Sequence, residues 1–179
     1  DGGSIEISTT RPELLPACVA IFVHPEDEEN EDLVGKKARV PLFDHEVPIL
    51  EDDRVDMETG SGIVMCCTFG DQTDIEWYQA HDLDLKIAID ESGTMTPEAG
   101  EYEEMSTKEA RKSIVEDLED EGFLLDRREI DHTVQVHERC GEELEFLVTE
   151  QWYVKLMDRK NEYLEIGKEL DWYPEKMFT

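Results

Sequence analysis

The sequence predicts an α+β fold with a mixed, barrel-like β-sheet at its core and helices at its periphery. Short runs that are either apolar or alternate between apolar and polar residues recur along the chain and are typical of strands. Between them lie segments with helix caps and apolar residues at helical spacing. Strands dominate and helices are interspersed, which favours the α+β class.

Several predicted strands are bounded by residues that favour turns. Most of these runs are rich in β-branched residues, which fit the pleated surface of a sheet. The predicted strands are 4–10, 17–23, the two arms of a hairpin over 37–50 that turns at 43–45, 63–68, 85–90, 133–138 and, as strand or extended chain, 145–156.

Three helices are predicted from caps and periodicity. The clearest has Ala110, Ile114 and Leu118 on one face, and Ser106 or Thr107 can cap it. The predicted helices cover 71–81, 106–122 and 159–172. We place a boundary near residue 150, so we expect an N-terminal domain over 1–150 and a C-terminal strand and helix over 151–179.

The charge of the chain is extreme, with 47 Asp and Glu against 17 Lys and Arg and a formal net charge of −30 over 179 residues. The acids are spread along the whole chain, whereas an interaction tail would be a block. At molar salt the Debye length is about 3 Å, so self-repulsion of such a surface is screened. We therefore predict adaptation to a high-salt cytoplasm, and rank an acidic protein-interaction domain below it.

The class of protein is narrowed further by what the sequence lacks. No run is long and apolar enough to span a membrane, and no secretory signal is visible, so we expect a cytoplasmic protein. The chain begins without Met and is interpreted as a piece of a longer protein. Cys66 and Cys67 are neighbours on a predicted strand, so they should point to opposite faces and not form one site.

Two aspartates three residues apart follow the strand at 63–68. Asp71 is a good helix N-cap, and Asp74 in the first turn suits the helix dipole. Residues at this spacing are also neighbours on a helix, so both carboxylates can face one ligand, such as an ammonium group. The structural interpretation is the better one for Asp71 alone, and the spacing leaves both open.

Two further stretches have residue types that carry chemistry. Thr9 and Thr10 end the first predicted strand and Arg11 follows them. They are either an ordinary strand exit with a surface Arg, or a hydroxyl and a cation that line a pocket for a polar or phosphate-bearing ligand. His137 and Cys140 have the spacing of half a zinc knuckle. The sequence shows no second half, so a surface His beside a packed Cys is the favoured interpretation.

In combination these stretches are far more specific. "STTRPELLPACVAIFVHPEDE" and "GIVMCCTFGDQTDIEWY", with "HERCGEELEFLVTEQWYVKL" and "WYPEKM", closely resemble the editing insertion of class I aminoacyl-tRNA synthetases. Within that family the sequence is similar to the archaeal valine branch. The resemblance covers essentially the whole chain.

The resemblance implies hydrolysis of the ester that joins threonine to the 3′ end of valine tRNA. In that family the residue matching Asp74 holds the substrate's α-ammonium, and the one matching Asp71 is a second acid in the pocket. The threonine-rich strand surrounds the aminoacyl group and the terminal adenosine. The residues predicted as catalytic are Asp74, Asp71 and Thr10, and those predicted to bind substrate are Thr9, Arg11, Thr68 and Asp74.

The resemblance also sets the expected partners and cofactors. The partners are the charged 3′ end of valine tRNA and the remainder of the synthetase, towards whose catalytic core residues 151–179 would return. Editing is expected to need no cofactor or metal, whereas the parent enzyme would use ATP and Mg²⁺. In intact family members the pair matching His137 and Cys140 can join an upstream cysteine pair to bind zinc, and that upstream segment is absent from this sequence.

The sequence departs from bacterial valine enzymes at Met65, Gly70 and Leu14, where those enzymes have lysine, often histidine, and threonine. We therefore assign no role to Met65 or Leu14. The Met65 position and the acidic surface also favour a second hypothesis, in which the chain is an insert that binds RNA but has no catalytic activity.

Overall fold

A four-stranded mixed sheet forms the core of the computed structural model, which describes residues 3–131, 133–141 and 143–178. The spatial order is β2-β3-β1-β4. The central strand β1 runs parallel to β3 and antiparallel to β4, and β2 and β3 form an antiparallel hairpin. The strands are β1 (Cys18–Val23), β2 (Lys37–Arg39), β3 (Glu46–Glu51) and β4 (Ile63–Cys67).

The α+β class with a mixed sheet is confirmed. Within the described residues the sheet is open, with β2 and β4 at its edges, and it does not close into a barrel. The predicted strands at 17–23 and 63–68 and the hairpin over 37–50 are all present to within two residues at the strand ends, apart from the longer turn between β2 and β3. That turn covers residues 40–45, which include the predicted 43–45, and Leu42 and Asp44 within it have positive φ.

The three predicted helices are also present, as α1 (Gln72–His81), α2 (Thr107–Asp120) and α3 (Lys160–Lys168). Ser106 caps α2, and it does so in a capping box with Glu109. The last helix is shorter than predicted. The indole N–H of Trp172 donates to the carbonyl of Gly167 at 2.6 Å. In a longer helix that carbonyl would accept a hydrogen bond from the backbone N–H of residue 171. Short 3₁₀ helices occupy Pro12–Ala17, Glu31–Leu33, Pro97–Tyr102, Met157–Arg159 and Glu175–Phe178.

Both faces of the sheet are covered, which is why β1 is buried along its whole length. On one face Ile21 and Val23 belong to a core cluster with the buried residues of α2. On the other face Phe22 stacks on Trp77 of α1, with ring centroids 4.6 Å apart. The adjacent cysteines divide between these clusters, Cys67 in the first and Cys66 in the second, as the alternation of a strand requires.

Three predicted strands are wrong as sheet strands. Residues 4–10 have no ladder, although Ile5 and Ile7 are half-buried against the first cluster while their neighbours are exposed. Residues 85–90 and 133–138 make a single isolated bridge each. Residues 145–156, predicted as strand or extended chain, contain no strand and no helix. Alternation predicts which side chains pack on a surface, but a strand also needs a partner with free backbone groups, and sequence spacing does not supply one.

The chain divides into two compact units, one up to Leu147 and one from Val148. The second unit contains α3 and exposes large apolar side chains, among them Trp152, Tyr153 and Tyr173. Its expected role as a return path towards a catalytic core stays a prediction. None of the described helices is both long and apolar enough to cross a bilayer.

Candidate active site

The turn from β4 into α1 is held by a reciprocal capping box. The Asp71 side chain accepts hydrogen bonds from the backbone N–H groups of Thr73, at 2.7 Å, and Asp74, at 3.0 Å. The Asp74 side chain in turn accepts from the backbone N–H of Asp71 at 3.1 Å. The predicted cap at Asp71 is therefore present, and it leaves this residue exposed at the start of the helix.

Asp74 is the buried member of the pair, with 7% of its surface exposed. Besides the Asp71 N–H, its carboxylate accepts from the backbone N–H of Cys67 at 3.2 Å and of Gly70 at 2.9 Å. Burial and the nearby charge of Asp71 raise the pKa of Asp74 to about 6, against the opposing effect of the Gly70 and Asp71 N–H donors. The carboxylate thus sits in a fixed position at the end of β4.

Gly70 permits this close approach of backbone and carboxylate. A Cβ at this position would lie 2.9 Å from Oδ2 of Asp74 and 3.1 Å from Cδ1 of Leu14. Such distances are shorter than van der Waals contacts, so any side chain here would displace one of the two neighbours. Leu14 is buried at this point, which brings the residues that follow Arg11 against the turn.

The Thr9–Arg11 segment leads into that contact. Thr9 and Thr10 are both exposed, and the Thr9 hydroxyl accepts a hydrogen bond from the backbone N–H of Arg11 at 3.0 Å. One guanidinium nitrogen of Arg11 lies 3.5 Å from the carbonyl oxygen of Gly70. The structure therefore brings Arg11 to the turn that carries Asp71 and Asp74.

A network of alternating charges fixes Arg11 from behind. Nε of Arg11 donates to the carboxylate of Glu13 at 3.0 Å, and its terminal NH2 group donates to both oxygens of Glu145 at 2.7 and 2.9 Å. Glu13 has no exposed surface and also accepts two hydrogen bonds from Arg111 of α2, at 2.7 and 2.8 Å. Burial alone would raise the pKa of Glu13, but the hydrogen bonds from Arg111 and Arg11 hold it below its usual value.

Thr68 lies at the end of β4 but faces another part of the chain. Its hydroxyl donates to the carbonyl of Lys86 at 2.5 Å and accepts from the N–H of the same residue at 3.0 Å. Thr68 is 4% exposed. Both hydrogen-bonding functions of the hydroxyl are thus used to tie β4 to the segment at residue 86.

The His137–Cys140 pair lies on a small hairpin formed by the described residues 135–141 and 143–144, hereafter the His–Cys hairpin. Nδ1 of His137 and Sγ of Cys140 are 3.2 Å apart, and both residues are exposed. Among the described residues no group of three or more His, Cys, Asp or Glu is placed to hold a metal ion. Two ligands alone do not complete the four that a structural zinc site takes.

Sequence reasoning missed the residues that support Arg11, namely Glu13, Arg111 and Glu145. One signal was present, because Glu13 interrupts an otherwise apolar run up to β1, and a fully buried Glu needs a cationic partner. The partners themselves lie 98 and 134 residues from the segment they contact, measured from Glu13 and Arg11. No local pattern connects positions so far apart.

Comparisons with known proteins agree with the resemblance. A family model described as leucyl-tRNA synthetase, editing domain, matches residues 23–119, which is more than half of the chain. The chain is 70% identical to a valine–tRNA ligase of Haloarcula marismortui over 95% of its own length and 19% of that relative. Valine–tRNA ligases of Pyrococcus horikoshii and Methanopyrus kandleri are each 49% identical over 98% of the chain and 20% of their own lengths.

The chain therefore spans about a fifth of the curated relatives it matches. The family match begins at the end of β1 and includes the whole turn that carries Asp71 and Asp74. Together with the aligned archaeal valine–tRNA ligases, it shows that this chain belongs to the editing-domain family of aminoacyl-tRNA synthetases.

Proposed function

We propose that this chain edits mischarged tRNA within a valyl-tRNA synthetase, by hydrolysing the ester that links threonine to valine tRNA. The observation that carries the proposal is the Asp74 carboxylate, which is buried and fixed at the end of the edge strand β4, close to the half-buried Arg11 that follows the exposed Thr9 and Thr10. The similarity to archaeal valine–tRNA ligases over 95% or more of the chain supports the choice of the valine branch.

The geometry of Asp74 suits an anchor for the α-ammonium group of the amino acid. A carboxylate has about four acceptor positions, and the three backbone N–H groups described above use three of them. The Cys66 thiol, a weak donor, also lies against this carboxylate, and a charge-assisted hydrogen bond to an ammonium would take the remaining position in preference to it. With a pKa of about 6, the carboxylate is mostly ionised at neutral pH and can neutralise that ammonium.

Hydrolysis itself needs a water molecule that attacks the ester carbonyl and releases threonine and the ribose hydroxyl. No side chain is assigned as general base. A positioned water, helped by substrate hydroxyls and oriented polar groups, would supply the reaction. Thr10 and Asp71 are exposed, Asp71 beside Asp74 and Thr10 directly before Arg11 in the chain, and we propose them as the polar groups of the reacting centre. Thr9 and Arg11 are proposed to contact the terminal nucleotide.

In this proposal Thr68 has a structural role and does not bind the substrate. Its hydroxyl is engaged with Lys86, so we propose that Thr68 fixes the end of β4 rather than donating to the substrate. No cofactor or metal enters the proposed hydrolysis, and ATP and Mg²⁺ would serve the aminoacylation reaction of the parent enzyme.

The proposed selectivity for threonine is needed because an apolar pocket cannot distinguish threonine from valine well. Threonine and valine have the same shape, and a hydrophobic synthetic site rejects an added hydroxyl poorly. A second site that hydrogen-bonds this hydroxyl would disfavour valine, because valine would leave the polar groups of the site unpaired. Editing is the function that such a second site serves.

The test is a deacylation assay in molar potassium chloride with valine tRNA charged either with threonine or with valine. We expect selective loss of threonine, in the full-length protein and in a form limited to this chain if the chain binds the tRNA end alone. Equal loss of both amino acids would contradict the proposed selectivity. Binding of tRNA with no loss of either from the full-length protein would favour the RNA-docking insert.

A further inference from the structure

The carboxylates that hold Arg11 differ in how they are themselves held. Glu13 is fully buried, lies in a 3₁₀ helix and is also bound by Arg111, so its contact with Arg11 belongs to the core. Glu145 lies in a segment without regular secondary structure, with 19% of its side chain exposed. Its carboxylate makes hydrogen bonds only to Arg11 among the contacts of the described residues. One end of Arg11 is therefore fixed, and the other is held by a group at the surface.

The charges in this network cancel. Arg11 and Arg111 supply two positive charges, and Glu13 and Glu145 supply two negative charges. With Glu145 in place, Arg11 offers no net charge to an incoming polyanion, and the nearby Asp71 and Asp74 add negative charge to the same surface. If Glu145 moved away, the remaining three groups would carry one positive charge.

A guanidinium binds carboxylate and phosphate with the same geometry, so the two ligands compete for its N–H groups. We propose that Glu145 is a displaceable carboxylate that occupies the phosphate-binding end of Arg11 until a phosphate group of the tRNA 3′ end replaces it. This inference rests on the proposed function, since it identifies the ligand of Arg11 as a phosphate of the RNA that is edited. Glu145 would thereby set the affinity for the RNA end without contacting the ester.

The experiment compares Glu145→Gln with Glu143→Gln in the full-length protein. Both variants remove one negative charge from the surroundings of the network, because the charge of Glu143 acts on Arg111, but within the described residues Glu143 makes no hydrogen bond or ion pair with Arg11. The KM and kcat for hydrolysis of threonyl-tRNA are measured in molar potassium chloride, where the long-range effect of a lost charge is screened. Binding of a short RNA with the tRNA 3′ sequence is measured in parallel and does not depend on turnover.

We expect Glu145→Gln to lower both the KM and the dissociation constant of the short RNA by about two- to fivefold, with kcat unchanged. Glu143→Gln should leave all three values at those of the unmodified protein. Adding Arg11→Gln should abolish the gain from Glu145→Gln, because the competition needs the guanidinium.

An unchanged or weaker affinity for the short RNA in Glu145→Gln would overturn the proposal, since Glu145 would then position Arg11 or do nothing for it. An equal gain in Glu143→Gln, or a gain that persists without Arg11, would overturn it as well. If no form hydrolyses threonyl-tRNA but the short RNA binds more tightly to Glu145→Gln, the proposed editing function fails while the competition for Arg11 stands.

Discussion

The β4–α1 turn and the His–Cys hairpin both carry residue types that are used in catalysis or metal binding, but their surroundings differ. At the turn, Asp74 is buried and accepts hydrogen bonds from three backbone N–H groups. On the hairpin, His137 and Cys140 are exposed and contact each other, and one isolated bridge joins the two arms. The first site is held by the sheet and α1, and the second by a few hydrogen bonds of its own.

This difference shows where a fixed binding geometry can be built. A charged anchor must be held in place before the ligand arrives if it is to orient a reactive ester. The turn satisfies that condition, since its backbone is part of the capping box and its neighbour Arg11 is tied to a buried ion network. The hairpin does not satisfy it with the residues it contributes. We therefore expect changes at the turn to have large effects and changes on the hairpin small ones.

The largest expected effect is from Glu13→Ala behind the turn. Removing this buried carboxylate leaves Arg11 and Arg111 without their shared partner. Breaking a buried pair in this way costs about 3–5 kcal/mol of unfolding free energy. Chemical denaturation in molar salt measures this, with Glu116→Ala as the control, because Glu116 makes a solvent-exposed pair with Lys112. A loss no larger than that of the control would contradict the structural role of the network.

Next in size is the contrast between the two aspartates. Asp74→Ala leaves three backbone N–H groups without their acceptor, which should lower the unfolding free energy by on the order of 3 kcal/mol. Asp71→Ala removes an exposed N-cap and should lower it by about 1 kcal/mol. Equal losses of unfolding free energy in the two variants, measured by denaturation, would show that the Asp74 side chain contributes no more to the fold than the Asp71 side chain.

The pH dependence sharpens the same contrast. Since the pKa of Asp74 is about 6, kcat/KM for threonyl-tRNA should fall as the pH drops below 6, by about tenfold for each further unit. Asp74→Asn should lose this inflection, and Asp71→Asn should keep it. An inflection that survives in Asp74→Asn would assign it to another group.

The contributions of Asp74 and Glu13 to the unfolding free energy should change with pH in opposite directions. The folded-state pKa of Asp74 is raised above its ordinary value of 3.8, so its contribution is present at low pH and is lost as the pH rises through about 6. The pKa of Glu13 is lowered from 4.5, so its contribution is present above that value and is lost as the pH falls through its folded-state pKa. Denaturation of Asp74→Asn and of Glu13→Gln is measured from about pH 3 to about pH 7, a range chosen to cover the titration of both acids. Comparing the two variants separates the two contributions to the unfolding free energy.

The smallest effects are expected on the His–Cys hairpin. His137→Ala and Cys140→Ser alter exposed side chains that contact each other, so each should change the unfolding free energy of this chain by less than about 0.5 kcal/mol. Hydrolysis of threonyl-tRNA by the same chain should be unchanged. A loss of activity comparable to that of Asp74→Asn would break the contrast between the two regions.

The sequence predicted best the elements whose signals are local. Strand β1, the β2–β3 hairpin and the cap at Asp71 each follow from residues within one short window, and each is present. For residues 4–10 the alternation correctly predicted that Ile5 and Ile7 pack on the core, but the segment pairs with no strand. Pairing depends on which sheet edge is free in the folded chain, and alternation does not show that.

The candidate site shows the same division. The spacing of Asp71 and Asp74 indicated a pair on one side of a helix, but not that one carboxylate would be exposed and the other buried. That difference arises because Gly70 and the end of β4 turn their N–H groups towards Asp74. Arg11 was recognised from its segment, whereas Glu145 was not, because 134 residues separate the two in sequence.

The most direct test of the proposed editing site is whether Asp74 binds the α-ammonium of the amino acid. Hydrolysis is compared for valine tRNA that carries threonine and for the same tRNA that carries the analogue with a hydroxyl in place of the amino group. The unmodified protein should cleave the analogue about tenfold to a hundredfold less efficiently, the value of one charge-assisted hydrogen bond. Asp74→Asn should cleave both esters equally, at the lower rate. If Asp74→Asn still prefers the amino ester as strongly as the unmodified protein does, Asp74 does not bind the ammonium and its carboxylate serves only the fold.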